Sequence, residues 1–555
     1  MELREVATPF FFSIRTILCY LFTFLKYHLL LTNMKKNMSL PIRRTLKKAA
    51  ALPKGLQHAL LLAMIPSAAT AQEHPNVIFI VADDLGYGDL SCYGATRVQT
   101  PHVDRLATRG VRFTDAHACA STSTPSRYGL LTGEYPFRRK GTDVAAGNAG
   151  MIIRPEQYTL ADVFRQAGYR TAAIGKWHLG LGSKTAMQDW NGVLDESPAD
   201  LGFDESYIMA ATADRVPCVF IENGRVANYD ASAPIEVSYQ KNFPGEPTGE
   251  KNPELLTKLR PSHGHNMSIV NGISRIGYMR GGGKALWQDE NIADSIVAHS
   301  VRFIEQSAGR PFFIYLCTND IHVPRYPHDR FRGKNEMGLR GDAIMQFDWT
   351  VGEILSALQR MGIEENTLVV LTSDNGPVLD DGYDDHAVEL AGDHRAGGPF
   401  RGGKYSAFEA GSAVPFIVSW PGHTAEGRES DALLALTDGV ASMASLIGVS
   451  LPEGAAPDSR DCLATWLGQR KESCPYVVSM AANRSLTLRT KRWKYIEPSD
   501  GGPMIPWGPK IETGYLKTPQ LFDIKKDIGE TKDISRKKPR VLRQLQQLLD
   551  RVKAH

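Results

Sequence analysis

At 555 residues the chain is long enough for one large core plus a smaller unit, or for two or three domains. Hydrophobic residues at 42% and charged residues at 23% exclude a disordered, collagen-like or coiled-coil chain. The 64 basic and 61 acidic residues leave a formal charge of +3, and the excess gathers near the N-terminus and at Lys537, Lys538 and Arg540. That is no nucleic-acid footprint, so an anionic partner has to be held by a few placed cations.

The first apolar run, Pro9 to Leu25, contains Arg15 and lies upstream of Met34 and Met38. It reads as an over-extended start, with a membrane anchor as the rival, since a run this short with an arginine is marginal for a span. Next, Arg43, Arg44, Lys47, Lys48 and Lys54 lead into the apolar stretch Gly55 to Ala71, which ends Ala69-Thr70-Ala71. This order predicts a secretory signal peptide, a mature chain from near Gln72 and a periplasmic or secreted protein with no stable membrane span after cleavage. A buried helix is the competing reading of the same stretch.

From Asn76 short β-branched runs alternate with amphipathic segments, which predicts an α/β domain around a mainly parallel sheet. The expected strands are Val77 to Val81, Thr171 to Ile174, Phe312 to Leu316, Leu368 to Leu371 and Phe416 to Ser419, apolar enough to be covered on both faces. Leu160 to Ala167 reads as a helix with Thr159 as N-cap and Gly168 at its stop. Ile292, Ile296, Val297 and Ile304, then Ile344, Phe347, Val351, Ile354, Leu355 and Leu358, mark two longer helices facing the core. After about Ser430 the pattern becomes α+β and ends in a helix from Pro539. The domain reading is an extension and signal peptide over 1–71, a catalytic domain over 72–430 and a C-terminal subdomain over 431–555. The seven cysteines have no zinc-type spacing; Cys462 and Cys474 are near enough in sequence to pair.

Three groups of residues carry chemistry. The stretch Ser123-Thr124-Pro125-Ser126-Arg127 runs on to Thr132-Gly133 as S-x-P-S-R-x-x-x-x-T-G. Asp83-Asp84 follows the first strand and Asp374-Asn375 the fourth, at carboxyl ends where open parallel sheets place ligands. Either pair alone is as well read as a solvated loop or a cap; together they offer oxygen ligands suited to calcium or magnesium rather than zinc. Lys176 and His178 in GKWHLG, His322 in NDIHVP and Lys404 in RGGKYSAFE add positive charge and proton-transfer groups.

The first motif closely resembles the signature of the type I, formylglycine-dependent sulfatases, and the order of the other residues is similar along nearly all of the mature chain. The nearest likeness is to bacterial glycan sulfatases of the arylsulfatase A and N-acetylgalactosamine-6-sulfatase kind. The resemblance implies an alkaline-phosphatase-like sandwich, a central mostly parallel sheet flanked by helices, with a smaller C-terminal α+β subdomain. It implies that Ser123 is oxidised to formylglycine by a serine-type maturating enzyme. It also implies that Asp83, Asp84, Asp374, Asn375 and residue 123 hold one calcium ion.

In this scheme Arg127 steadies the formylglycine, and Lys176 and Lys404 neutralise sulfate oxygens. His178 is the base and His322 the acid for the leaving alkoxide, with the histidine roles exchangeable. A hydrated aldehyde is needed because a sulfated serine would be a stable ester; the second hydroxyl of the diol lets the sulfate be expelled.

The implied substrate is a sulfated carbohydrate, with 6-O-sulfated galactose or N-acetylgalactosamine expected. The loops Asn191 to Arg215 and Asp380 to Lys404 are expected to shape its pocket, with Asp393, His394 and Arg395 as sugar contacts. Two alternatives stand beside this reading: a phosphate or phosphonate monoester hydrolase, and a sulfated-glycan binding protein that is never matured. The chain departs from the family at Glu409-Ala410-Gly411-Ser412-Ala413-Val414-Pro415, where many relatives read E-G-G-x-R-V-P, which puts a supporting salt bridge in doubt.

Overall fold

Strand β1, Asn76–Ala82, is buried along its whole length, as a run of Val, Ile and Phe requires when helices cover both faces of a sheet. The computed structural model describes residues 74–555; the Pro9 run, the signal-peptide reading and the start near Gln72 fall outside the described residues. Helix α1 (Pro101–Thr108), β2 (Val111–His117), α2 (Ser123–Thr132), α3 (Leu160–Gln166), β3 (Arg170–Lys176) and β4 (Glu205–Met209) follow. Strands β5 (Phe220–Glu222) and β6 (Arg225–Val226) turn back on β4, and β7 (Glu236–Ser238), β8 (Ile269–Val270), β9 (Ile273–Ser274) and β10 (Tyr278–Arg280) make two small ribbons. Then come α4 (Ile292–Gln306), β11 (Phe312–Cys317), α5 (Gly338–Arg360), β12 (Thr367–Ser373), β13 (Phe416–Ser419), β14 (Arg428–Ala435) and α6 (Gly439–Ile447).

The large sheet has ten strands in the order β14-β2-β13-β12-β1-β11-β3-β4-β5-β6. Strands β12, β1, β11, β3 and β4 run parallel, with Ile80 of β1 opposite Leu316 on one side and Leu371 on the other. The five expected strands all lie in it, but β13 pairs antiparallel with both β12 and β2. An apolar run reports burial on two faces, not direction. Thr159 caps α3 as expected, its side chain accepting from the Asp162 backbone N–H, and Gly168 follows with φ 80°. Gly175 in β3 has φ 94°, and a Cβ there would sit 1.8 Å from the Cys317 carbonyl oxygen, so the approach of β3 to β11 requires glycine.

Beyond β14, which continues the large sheet through Ala435, lies the short helix α7 (Leu463–Trp466). A four-stranded antiparallel sheet then forms from β15 (Val477–Met480), β16 (Leu486–Arg489), β17 (Trp493–Ile496) and β18 (Gln520–Asp523), and helix α8 (Pro539–Ala554) closes the chain. Helix α8 buries Leu545, Leu549 and Val552 in one cluster with Leu488, Tyr495 and Leu521. Each such side chain contributes about 1.5–3 kcal/mol on full burial.

The two sheets are also joined by buried charge. Glu409 receives Arg489 Nε at 3.0 Å and Lys494 Nζ at 3.0 Å, and Lys494 reaches Glu530 at 3.5 Å. The glutamate of the departing segment therefore has cations from β16 and β17 although the segment itself supplies no arginine. Cys462 and Cys474 are free thiols with their sulfurs 3.6 Å apart beside Asp438.

Candidate active site

The carboxyl ends of β12, β1, β11 and β3 lie side by side, and each delivers part of one constellation. Asp83 and Asp84 leave β1, Asp374 and Asn375 leave β12, His322 follows β11, and Lys176 ends β3 with His178 two residues later. Ser123 is the first residue of α2, where unpaired backbone N–H groups favour negative charge. Lys404 comes from the long connection between β12 and β13. All of these residues are buried. Asp84 and His178 have φ of 58° and 57°, a left-handed backbone that costs a non-glycine residue about 1–3 kcal/mol and persists where the surroundings enforce it.

Beneath the floor, Asp83, Asp84 and Asp374 meet three cations. Arg127 donates to Asp374 Oδ2 from Nε at 2.9 Å and from a terminal nitrogen at 2.7 Å. Lys176 Nζ lies 2.5 Å from Asp83 Oδ1 and 3.4 Å from Asp374 Oδ2. Lys404 Nζ bridges Asp84 Oδ2 and Asp381 Oδ2, both at 2.8 Å, and Asn375 Nδ2 donates to Asp84 Oδ1 at 2.7 Å.

Burial alone would raise Asp374, but Arg127 and then Lys176 outweigh it and hold the carboxyl below its ordinary range. Asp83 is different: burial pushes it up to about 8 against the pull of Lys176. Its Oδ2, and Oδ1 of Asn375, are buried oxygens with no hydrogen-bond partner. Asp83, Asp84 and His322 offer ligand atoms within 4.8 Å of one another. Two orphaned oxygens among carboxylates make a donor set that fits a hard cation such as calcium.

Above the floor, His178 Nε2 is 2.9 Å from the Ala145 carbonyl oxygen, which can only accept, so that nitrogen carries the proton. Its Nδ1 then turns a lone pair towards Ser123 Oγ at 3.2 Å. Burial first, and Lys176 next, hold this imidazole well below its ordinary pKa and therefore neutral. His322 donates from Nδ1 to the Val323 carbonyl at 2.6 Å and places Nε2 3.8 Å from Asp84 Oδ2; burial and Lys404 lower its pKa as well. Burial opposes the charge of Lys404, but Asp381 and Asp84 raise its pKa well above the ordinary lysine value.

Ser123, His178, His322 and Lys404 open into a cavity of about 620 Å³, within the range of small-molecule sites. Asp214, Arg215 and Asp381, from the ends of the two expected loops, line it. Its walls also include Tyr405, the neighbour of Lys404 in RGGKYSAFE, and His263, His265 and Trp507, which carry no sequence motif. Asp393, His394 and Arg395 do not line it. His394 Nε2 bonds Asp89 at 2.8 Å beside Arg340, and the exposed Asp393 pairs with Arg97, so this expectation of sugar contacts is corrected: nearness to Lys404 in sequence is not nearness to the cavity.

The family model described as Sulfatase matches residues 75–449. The chain belongs to the sulfatase family. It is 50% identical over 481 residues to the N-acetylgalactosamine-6-O-sulfatase of Bacteroides thetaiotaomicron, covering 87% of this chain and 93% of that one. Human arylsulfatase A is 31% identical over 72% of this chain and 69% of its own. A solved Bacteroides thetaiotaomicron structure, described in connection with the metabolism of multiple glycosaminoglycans, superposes with TM-score 0.85 at 50% identity, covering 87% of this chain and all of that one. This sulfatase therefore shares the alkaline-phosphatase-like architecture, with its smaller antiparallel C-terminal sheet.

Proposed function

We propose that this sulfatase removes O-sulfate from carbohydrate, with 6-O-sulfated N-acetylgalactosamine or galactose as its ester class, using Ser123 matured to formylglycine beside a calcium ion. One observation carries the reading: Ser123 Oγ stands 3.2 Å from the unprotonated Nδ1 of His178, at the floor of a sugar-sized cavity with the orphaned Asp83 and Asn375 oxygens beneath it. The name of the 50% identical relative supports the sugar.

Asp83, Asp84, Asp374, Asn375 and residue 123 would hold the cation. When present, the cation would withdraw charge from the sulfate oxygens, and the formylglycine hydrate would supply the attacking oxygen. The chain's own residues do the rest. Arg127, clamped on Asp374, fixes that carboxylate in place. Lys404 keeps a full positive charge where charge develops on the ester, and Lys176 offsets the buried acids.

His178 takes a proton at Nδ1, the atom aimed at residue 123, while Ala145 holds the ring in the correct tautomer. His322 has Nδ1 tied to Val323, so Nε2 is the atom that would take up a second proton and pass it to the departing alkoxide. The stretch before Gln72 supports export, and a serine at the nucleophile position supports a serine-type maturating enzyme as partner. The test is release of inorganic sulfate from 6-O-sulfo-N-acetylgalactosamine by protein co-expressed with such an enzyme. Turnover of aryl phosphate in preference to every sulfate ester would move the assignment to a phosphoesterase.

A further inference from the structure

Trp507 is a large aromatic side chain left 48% exposed, and it lines the same cavity as Ser123 and Lys404. It sits on the connection between β17 and β18, which belongs to neither expected sugar loop. It lies roughly perpendicular to the Tyr405 ring, with centroids 5.1 Å apart and planes at 83°.

Tyr405 is itself fixed. Its hydroxyl donates to Asp381 Oδ1 at 2.9 Å, its backbone N–H to the Ser121 carbonyl at 2.8 Å, and its carbonyl accepts from Tyr515 at 2.8 Å. It also directly follows Lys404, whose ammonium is held by Asp84 and Asp381. The indole is thus indexed through one neighbouring residue to the cation that faces the ester. On its other side Gly508 passes so near the His263 ring that a Cβ would lie 2.2 Å from it, so the Trp507 loop is packed against a second wall of the cavity. Asp214, bonded to His265 Nε2 at 2.9 Å and to Arg215 at 2.9 Å, makes another part of that wall polar.

An aromatic face beside hydrogen-bonding groups matches the two surfaces of a pyranose. In a galacto-configured ring the axial O4 leaves the hydrogens of C3, C4 and C5 together on one face, a continuous apolar patch. In the gluco epimer the C4 hydrogen turns to the other face and the patch is broken.

We propose that Trp507, backed by Tyr405, is the platform on which the sulfated sugar ring stacks, and that it makes this site prefer galacto- over gluco-configured rings. The inference rests on the carbohydrate-sulfatase reading above and adds the residue that selects the epimer.

The test compares kcat/KM for sulfate release from 6-O-sulfo-N-acetylgalactosamine and 6-O-sulfo-N-acetylglucosamine by the matured wild type, Trp507→Ala and Trp507→Phe. The wild type is expected to favour the galacto epimer. Trp507→Ala should lose about ten-fold on it, chiefly through KM, as removal of one aromatic contact implies. It should lose little on the gluco epimer, so the ratio falls towards one, and Trp507→Phe should restore most of it. An unchanged ratio in Trp507→Ala, or equal losses on both epimers, would overturn the platform while leaving the sulfatase reading intact. A wild type that releases sulfate from neither sugar would overturn the carbohydrate reading and this inference with it.

Discussion

Replacing Lys494 by methionine removes the central cation of the cluster that joins the small sheet to the large one. The side chain is 1% exposed and contacts Glu409, 1% exposed, and Glu530, fully buried. Taking one partner from a buried pair costs about 3–5 kcal/mol because a charge is left without compensation. Two features place the expected loss at the lower end. Glu409 keeps Arg489 at 3.0 Å, and Glu530, which burial already raises to about 7 against the pull of Lys494, can shed its charge by taking up a proton.

The sign with pH follows from that raised value. A carboxyl that binds its proton more tightly when folded weakens the fold as pH rises from its unfolded value towards its folded one, and without Lys494 the folded value rises further. Lys494→Met is therefore expected to cost about 3 kcal/mol at pH 8 and clearly less at pH 6. Adding Glu530→Gln should return part of the loss at pH 8, a coupling expected of residues in direct contact. Denaturant unfolding of the three variants at both pH values measures this. A loss below about 1 kcal/mol that does not change with pH would refute the reasoning.

Three further outcomes follow from the site and its surroundings. His178→Gln removes the imidazole facing residue 123, the base of the proposed mechanism, and should lower kcat by about 10²–10⁴-fold with KM little changed, read from sulfate release. Chelation of the purified enzyme should lower both Tm and activity, since the proposed cation would bind the folded state only; Asp83→Asn should blunt the Tm response. Asp89, buried against Arg340 and His394, is held down to about 2 although burial alone would raise it. It should contribute about 2–3 kcal/mol that is present above pH 4 and lost as pH falls towards 2. Acid unfolding of Asp89→Asn should show a correspondingly shallower slope over that window.

The parallel core was legible because β1, β3, β11 and β12 are continuous apolar runs, and acidic pairs just after two of them point to the carboxyl edge. The motif at Ser123 marked a helix start with a buried serine and arginine, which stand beside His178 and Asp374. The direction of β13 was not, since both kinds of central strand look alike in sequence. The cavity walls were read only in part: Asp214, Arg215 and Asp381 lie in loops expected to shape it, whereas His265 and Trp507 reach it through long-range packing that leaves no local pattern. Asp393 to Arg395 failed for the converse reason, because sequence proximity to Lys404 carried no information on which side of the loop faces the cavity. The cations serving Glu409 come from strands about 80 residues further on, a pairing that only the tertiary fold reveals.

The most direct test of the central claim is peptide mass spectrometry of residue 123 in protein co-expressed with a serine-type maturating enzyme, with sulfate release from 6-O-sulfo-N-acetylgalactosamine measured on the same sample. The account predicts loss of two hydrogens from Ser123, and sulfate release in proportion to the converted fraction. Sulfate release from protein whose Ser123 is wholly unmodified, or fully converted protein that releases none, would contradict it.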